Sequence, residues 1–396
     1  MIATAPFPLA DKADVIRGVT FSKGDAVSQP RDGYTPVLRA GNIQGHLILD
    51  DDLVYVPERM VSDKQRLRRG DIVMCTSSGS AEIVGKTGFT DRDWNGSFGA
   101  FCAVVRPKAG KCHPRYLFHY LQSPRFRDWT RNSSGVGIKN IRKSELDAVE
   151  IPFPSPDEQR RIAAILDKAD AIRRKREQAL TLADDFLRSV FLEMFGDPGD
   201  NPMNHPVERF ESLLSIPLRN GISPASRGTV TARVLTLTAI TGDRFDGSYA
   251  KEGKFLEHIS VKDTVSTSDF YICRGNGSPD LIGKGFYADQ DIPGTAFPDT
   301  MIAAKPNPKK VTRAFLESIW NGPFVRNQIR EAARTTNGTF KINQTAAGAI
   351  KLPVPPLEAQ QRFQMIVDRV ARSKEKLAYG ADLFPAVSQR AFAGDL

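Results

Sequence analysis

The sequence predicts a mixed α+β chain: two globular α/β units separated by two long antiparallel helices that form a coiled coil, arranged as a pseudo-twofold internal repeat. Three observations predict it. Gly137, Ile141, Ile151, Pro152, Pro154, Gln159, Arg161 and Ile165 recur 201 positions later as Gly338, Ile342, Leu352, Pro353, Pro355, Gln360, Arg362 and Ile366. Upstream, Cys75, Gly79, Ser80, Val84, Gly85 and Lys86 recur at an offset of 198 as Cys273, Gly277, Ser278, Ile282, Gly283 and Lys284. Each unit then leads into a segment of helical periodicity. The implied boundaries are 1–150 for the first unit, 151–196 for a central helix, 197–351 for the second unit and 352–396 for a C-terminal helix.

Within the first unit, short runs such as Pro36-Val37-Leu38, Asp71-Ile72-Val73-Met74-Cys75 and Ala100-Phe101-Cys102-Ala103-Val104-Val105 read as strands between turns rich in Gly, Asn and Asp. A helix is expected from about Pro114 to Asp128. The second unit repeats this plan with Arg233-Val234-Leu235-Thr236-Leu237, Phe270-Tyr271-Ile272-Cys273 and a helix near Thr312 to Ile329.

Ser155-Pro156-Asp157-Glu158 is a helix start. Ser155 can accept from the third helical amide, Glu158 can reach back, and Pro156 suits a first position that needs no N–H. No Gly or Pro follows from Asp157 to Phe195, which allows a helix roughly 58 Å long, stopped at Gly196-Asp197-Pro198-Gly199. A 3–4 spacing picks out Ile162, Ile165, Ala169, Ile172, Phe186 and Val190, and the same register in the C-terminal segment picks out Phe363, Ile366, Val370, Leu377 and Val387. Two matched seams indicate mutual pairing in a coiled coil. The rival arrangement lays each helix on its own globular unit. Gly380 and Pro385 weaken the second helix, so a bend or frayed turn is expected near Pro385.

Composition is ordinary for globular protein at 40% hydrophobic and 26% charged residues, and the net charge of +9 is a mild pointer to a polyanion. The four cysteines form no CxxC pair and the five histidines are scattered, so neither a metal site nor a disulfide framework is supported. No signal peptide and no membrane span is apparent, and the expected location is cytoplasmic.

Gly79-Ser80-Ala81-Glu82-Ile83-Val84-Gly85-Lys86-Thr87 resembles a phosphate-cradling loop but has five residues between its glycines, where a nucleotide loop needs four. What both copies keep is a Gly/Ser turn carrying a lysine. Thr76, Ser77, Ser78, Ser80 and Lys86, with Arg274, Asn276, Ser278 and Lys284, are therefore candidate contacts to phosphates or base edges. The rival is a tight turn with a solvated lysine. A second polar patch runs from Arg131 and Asn132 to Lys139, and is echoed by Arg334, Thr335, Asn337 and Lys341. These residue types grip backbones and read base edges, although irregular polar loops share the composition. Arg173-Arg174-Lys175-Arg176 adds a basic run on the central helix.

Enzyme signatures are mostly missing. There is no Asp/Asn-Pro-Pro-aromatic tetrapeptide, no Gly-x-Ser-x-Gly and no His-Glu-x-x-His, and Glu252-Gly253-Lys254 has no counterpart in the first unit. No catalytic residue and no metal ligand is assigned.

Ile151 to Asp170 (IPFPSPDEQRRIAAILDKAD) and Phe191 to Pro198 (FLEMFGDP) resemble the central region of type I restriction–modification specificity subunits. The resemblance covers the whole chain in architecture and is most specific around the first helix. It implies a non-catalytic subunit that recognises a bipartite, asymmetric double-stranded DNA target, with one half-site per target-recognition domain. It also implies that the helices act as spacer and docking surface for two methyltransferase (modification) subunits, which carry S-adenosylmethionine. Restriction/translocase subunits that use ATP and Mg would complete the complex, leaving no cofactor in this chain. A recognition subunit of a modification-only or other phage-defence complex, and a protein-binding scaffold, are the alternatives.

Overall fold

A computed structural model of the chain describes residues 6–80, 82–132, 139–336, 338–378 and 383–395. In both units the apolar runs form the same sheet. Ile72–Cys75 is buried along its whole length, as expected of a central strand with both faces covered, and pairs antiparallel with Cys102–Pro107 and with Thr87–Phe89. Ala13–Arg17 completes four strands on the far side of Cys102–Pro107. The second unit has the same order, with Leu214–Asn220, Met301–Pro306, Phe270–Cys273 and Gly285–Tyr287. Even the register agrees, Cys75 facing Cys102 where Cys273 faces Met301. A smaller sheet with one parallel pair flanks each: Tyr34–Leu38 beside Ser97–Phe98, and Val230–Leu235 beside Ile292–Ala296.

The single helices expected after these strands are each two. Pro114–Gln122 is followed by Pro124–Asn132, and Arg313–Asn321 by Pro323–Ala332. The cause is the proline, which has no N–H for a continuing helix but suits the start of the next.

The chain divides into two compact units, Met1–Gln178 with Ala378–Leu396, and Ala179–Leu377. The division falls inside the helical segments because each end of the central helix, Pro156–Phe195, buries its apolar face in one core only. Glu158 N donates to Ser155 Oγ as expected of the cap, but the Glu158 carboxylate accepts from Arg161 instead of reaching back. The helix stops at Gly196, whose φ of +72° is the left-handed conformation glycine adopts freely.

In the first unit, Ile162, Leu166 and Ala169 are buried. Arg115 and His119 both donate toward Asp167 Oδ1, the Arg115 Nε and His119 Nε2 contacts being 2.8 and 2.7 Å, and so pin the helix to Pro114–Gln122. Burial alone would raise the Asp167 carboxyl, but the bonds from His119 and Arg115 hold it at about 2. The last helix, Leu383–Ala393, packs on the same core through Ala391, Phe392 and Val387, and Arg173 lies over the Phe384 ring. In the second unit the rings of Phe191 and Phe195 sit 5.6 and 5.5 Å from that of Phe363, and Lys374 Nζ bonds Asp184 at 2.6 Å. Numbers rise along one helix as they fall along the other, so within this unit the central helix and Leu357–Ala378 run antiparallel.

The expected seam is corrected in detail. Ile172 and Phe186 are exposed, at 43% and 52%, and Leu166, which the seam skipped, is fully buried. Ile165, Val190, Ile366, Val370 and Leu377 are half-buried. A seam inferred from heptads assumes a helix as partner, whereas much of the burial is against sheets and helices of the globular cores. The C-terminal segment is described as two helices. Gly380 lies outside the described residues, and Pro385 sits in the first turn of the last helix, where its missing N–H costs nothing.

Candidate nucleic-acid interface

The shared motif around Gly85 and Gly283 is a loop that closes on its own strand. Gly85 N donates to Cys75 O and Cys75 N to Lys86 O, at 2.8 and 2.9 Å. In the second unit Gly283 N donates to Cys273 O and Cys273 N to Lys284 O, both at 2.8 Å. Both glycines have positive φ, +82° and +69°. A Cβ on them would lie 2.8 Å from Thr130 Cγ2 and 2.6 Å from Ile329 Cγ2. Burial pushes the Cys75 thiol up, and that of Cys273 to about 11, so these are inert packing groups.

The two polar patches, some sixty residues apart in each half, come together. Ser77 and Ser78 pair antiparallel with Asn140 and Lys139, and Ile141 N donates to Thr76 O at 2.8 Å. In the second unit Gly275 and Asn276 pair with Lys341 and Phe340, and Ile342 N donates to Arg274 O at 2.9 Å. Each unit thus places the same pair of short strands, a ribbon, at the same repeat position, and in the second unit Arg334–Thr336 pairs with Thr339–Lys341 as a third strand. Two strands of this kind fit the width of a DNA major groove.

The candidate residues occupy distinct places on this ribbon. Thr76 is buried, and its Oγ1 donates to Phe101 O. Ser80 is exposed, and Ser77, Ser78 and Lys86 are half-buried. Asn276 Oδ1 accepts from Ser278 N at 2.9 Å, which orders the turn. Arg274 Nη1 donates to Asp299 O at 3.0 Å. Arg334 and Lys341 are exposed on Arg334–Thr336 and Thr339–Lys341. Asn337 lies outside the described residues, as do the side chains of Asn132, Lys139 and Thr335.

Two expectations change. Lys284 is not a free lysine, since its Nζ donates to Thr241 O and Gly242 O at 3.1 and 3.0 Å, closing the end of the short helix Thr238–Thr241. The counterpart of Arg131 is Arg330, not Arg334. Arg131 pairs with Glu82 across the loop at 3.9 Å, and Arg330 pairs with Asp280, the repeat of Glu82, at 2.9 Å.

Sequence reading also missed the residues that support the loops. Arg127 Nη1 donates to Val84 O at 3.5 Å, and at the same repeat position Arg326 donates to the carbonyls of Ile282 and Asp280. Their spacing from Gly85 and Gly283 was the available signal. Gln159 and Gln360, already matched by the repeat, gain their role from the structure. Gln159 accepts from His113 N and donates to Pro154 O, and Gln360 accepts from Thr312 N and donates to Pro355 O. Each locks the start of a long helix to the unit before it. Among the described residues no group of three or more His, Cys, Asp or Glu side chains is placed to hold a metal ion, and no helix is long and apolar enough to cross a membrane.

The duplicated platform has counterparts among known proteins. The family model "Type I restriction modification DNA specificity domain" matches residues 4–182. The StySPI specificity subunit of Salmonella potsdam is 29% identical over 99% of this chain and 89% of its own length. Over nearly its whole length the chain is thus similar to type I restriction–modification specificity subunits, and residues 4–182 match their DNA specificity domain. The EcoKI specificity subunit of Escherichia coli K12 is likewise 29% identical, over 98% of this chain and 88% of that protein. Specificity subunits of type I systems are non-catalytic DNA-recognition subunits. The fold is also that of a specificity subunit from M. genitalium, with a TM-score of 0.55 at 14% identity over 98% of this chain and 94% of that one. A structure described for the complex assembly and conformational transition of a type I system gives 0.51 at 17%, over 99% and 98%.

Proposed function

We propose that the chain reads a bipartite, asymmetric duplex target, one half-site per unit, and docks methyltransferase subunits through its helical segments. The observation that carries this reading is the duplicated ribbon: the same backbone frame in both units, edged by Thr76-Ser77-Ser78 in one and Arg274-Gly275-Asn276 in the other. One frame with two different edges is what two unlike half-sites require. In this reading the domains are target-recognition domains at 1–150 and 197–351, and the paired helices of 151–196 and 352–396 are a coiled-coil spacer. S-adenosylmethionine belongs to the methyltransferase subunits, and ATP and magnesium belong to restriction/translocase subunits.

Selection from a randomised duplex library tests it, using the full chain purified with the methyltransferase subunits from its host. The expected product is two short conserved blocks separated by unselected base pairs. Asn276→Ala should relax one block by about 1–3 kcal/mol, the worth of a bidentate amide contact, and replacing Ser77 and Ser78 with alanine should relax the other by less, because each loses only a single hydroxyl contact. Recovery of unselected sequence by the wild-type complex would end the proposal.

A further inference from the structure

An isolated exposed apolar side chain ordinarily calls for no explanation. Phe101 is different because of where it stands. It occupies the turn between Ser97–Phe98 and Cys102–Pro107, and its residue is 68% exposed. Its carbonyl accepts from Thr76 N, Thr76 Oγ1 and Ser77 N at 2.9, 3.2 and 3.1 Å. The main chain under the ring is thus fixed to the ribbon by three bonds. The ring itself makes no aromatic or cation contact among the described residues.

Beside it lies a pocket of about 230 Å³, lined by Phe101 with Arg17, Thr20, Ser77, Asn140 and Lys143. Arg17 makes no ion pair among the described residues, so a cation is free to meet a phosphate next to the ring. In the second unit the place of Phe101 is taken by Thr300, whose carbonyl accepts from Arg274 N at 2.9 Å. The frame is shared and the apolar projection is not.

We infer that Phe101 is a base reader confined to one half-site, its ring packing against the 5-methyl group of a thymine in the major groove. This rests on the DNA-reading function proposed above. A two-stranded ribbon admitted to the major groove brings its neighbouring side chains to base edges, and there thymine alone presents a methyl group. Polar side chains of the ribbon hold donors and acceptors, and Phe101 supplies the apolar contact they lack. The unit with Thr300 would read its half-site without that contact.

The test is selection by the full chain with its methyltransferase subunits from two randomised libraries, one containing thymidine and one containing deoxyuridine in its place. The wild type should prefer thymine at one position of one half-site by about fourfold, the worth of one buried methyl. That preference should vanish in the deoxyuridine library and in Phe101→Ala, persist in Phe101→Leu, and leave the other half-site unchanged. Because the side chain is exposed, Phe101→Ala should unfold at the wild-type temperature. Phe101→Ala selecting the wild-type sequence with undiminished strength would overturn the inference and leave the proposed function standing. So would a loss equal in both libraries, which points to a ring inserted between bases rather than against a methyl. A wild type that selects nothing would remove the DNA-reading function and this inference with it.

Discussion

Glu317 is a carboxyl that the second unit holds against its ordinary chemistry. It lies on Arg313–Asn321, where burial pushes it up to about 7, against a partly opposing hydrogen bond from Tyr287 N and the nearby charge of Arg313. A carboxyl whose folded value exceeds its unfolded one binds more protons when folded. Its stabilising effect is therefore complete below about pH 4.5 and is lost as pH rises toward 7. Glu317→Gln, which keeps the acceptor and removes the charge, should stabilise the chain above pH 7 by on the order of 2 kcal/mol and change little at pH 5. Thermal unfolding of both proteins between pH 5 and 8.5 checks this, and parallel curves would contradict it. Nothing in the sequence around Glu317 marks it out, because its shift comes from tertiary burial. The glycines at 85 and 283 were legible as a repeat, and their reason is now plain: positive φ and no room for a Cβ.

Among the elements, the central helix was the easiest to read and its seam the hardest. Its start at Ser155-Pro156 and its stop at Gly196 follow from capping chemistry written in a few adjacent residues. Which face is buried depends on partners distant in sequence, and this is why Leu166 was passed over while Ile172 and Phe186 were assigned to the seam. Phe363 is a residue of the expected seam whose neighbours carry a prediction. It is fully buried, and the rings of Phe191 and Phe195 close on it from the central helix. Phe363→Ala should cost about 3–5 kcal/mol of stability, because removing a fully buried ring leaves a cavity between those of Phe191 and Phe195. Denaturant unfolding with an unchanged m-value and a lowered midpoint is the expected result. A loss under 1 kcal/mol would mean the contact is incidental. Lys374 with Asp184 is half-exposed and should be worth far less.

At the scale of the whole chain, the repeat was visible in sequence because both copies need the same glycines, prolines and helix-locking glutamines, whereas the ribbon edges differ and carry no shared signature. Reading Arg131 as the partner of Arg334 failed for that reason: in a polar loop composition gives no register, and only the ion pairs with Glu82 and Asp280 fix it. The proposed division of labour places half-site identity in the ribbons and the interval between half-sites in the helices, so the two should be separable by mutation. Adding one helical turn to both the central helix and Leu357–Ala378 lengthens each by about 5.4 Å, or between one and two base pairs at about 3.4 Å each. Selection by such a variant should return the wild-type half-sites with an interval longer by one or two base pairs. Half-sites that change while the interval stays fixed would assign base reading to the helices, contrary to the proposal. If both stay fixed, the interval is set outside the helices, by the units themselves or by the subunits bound to them.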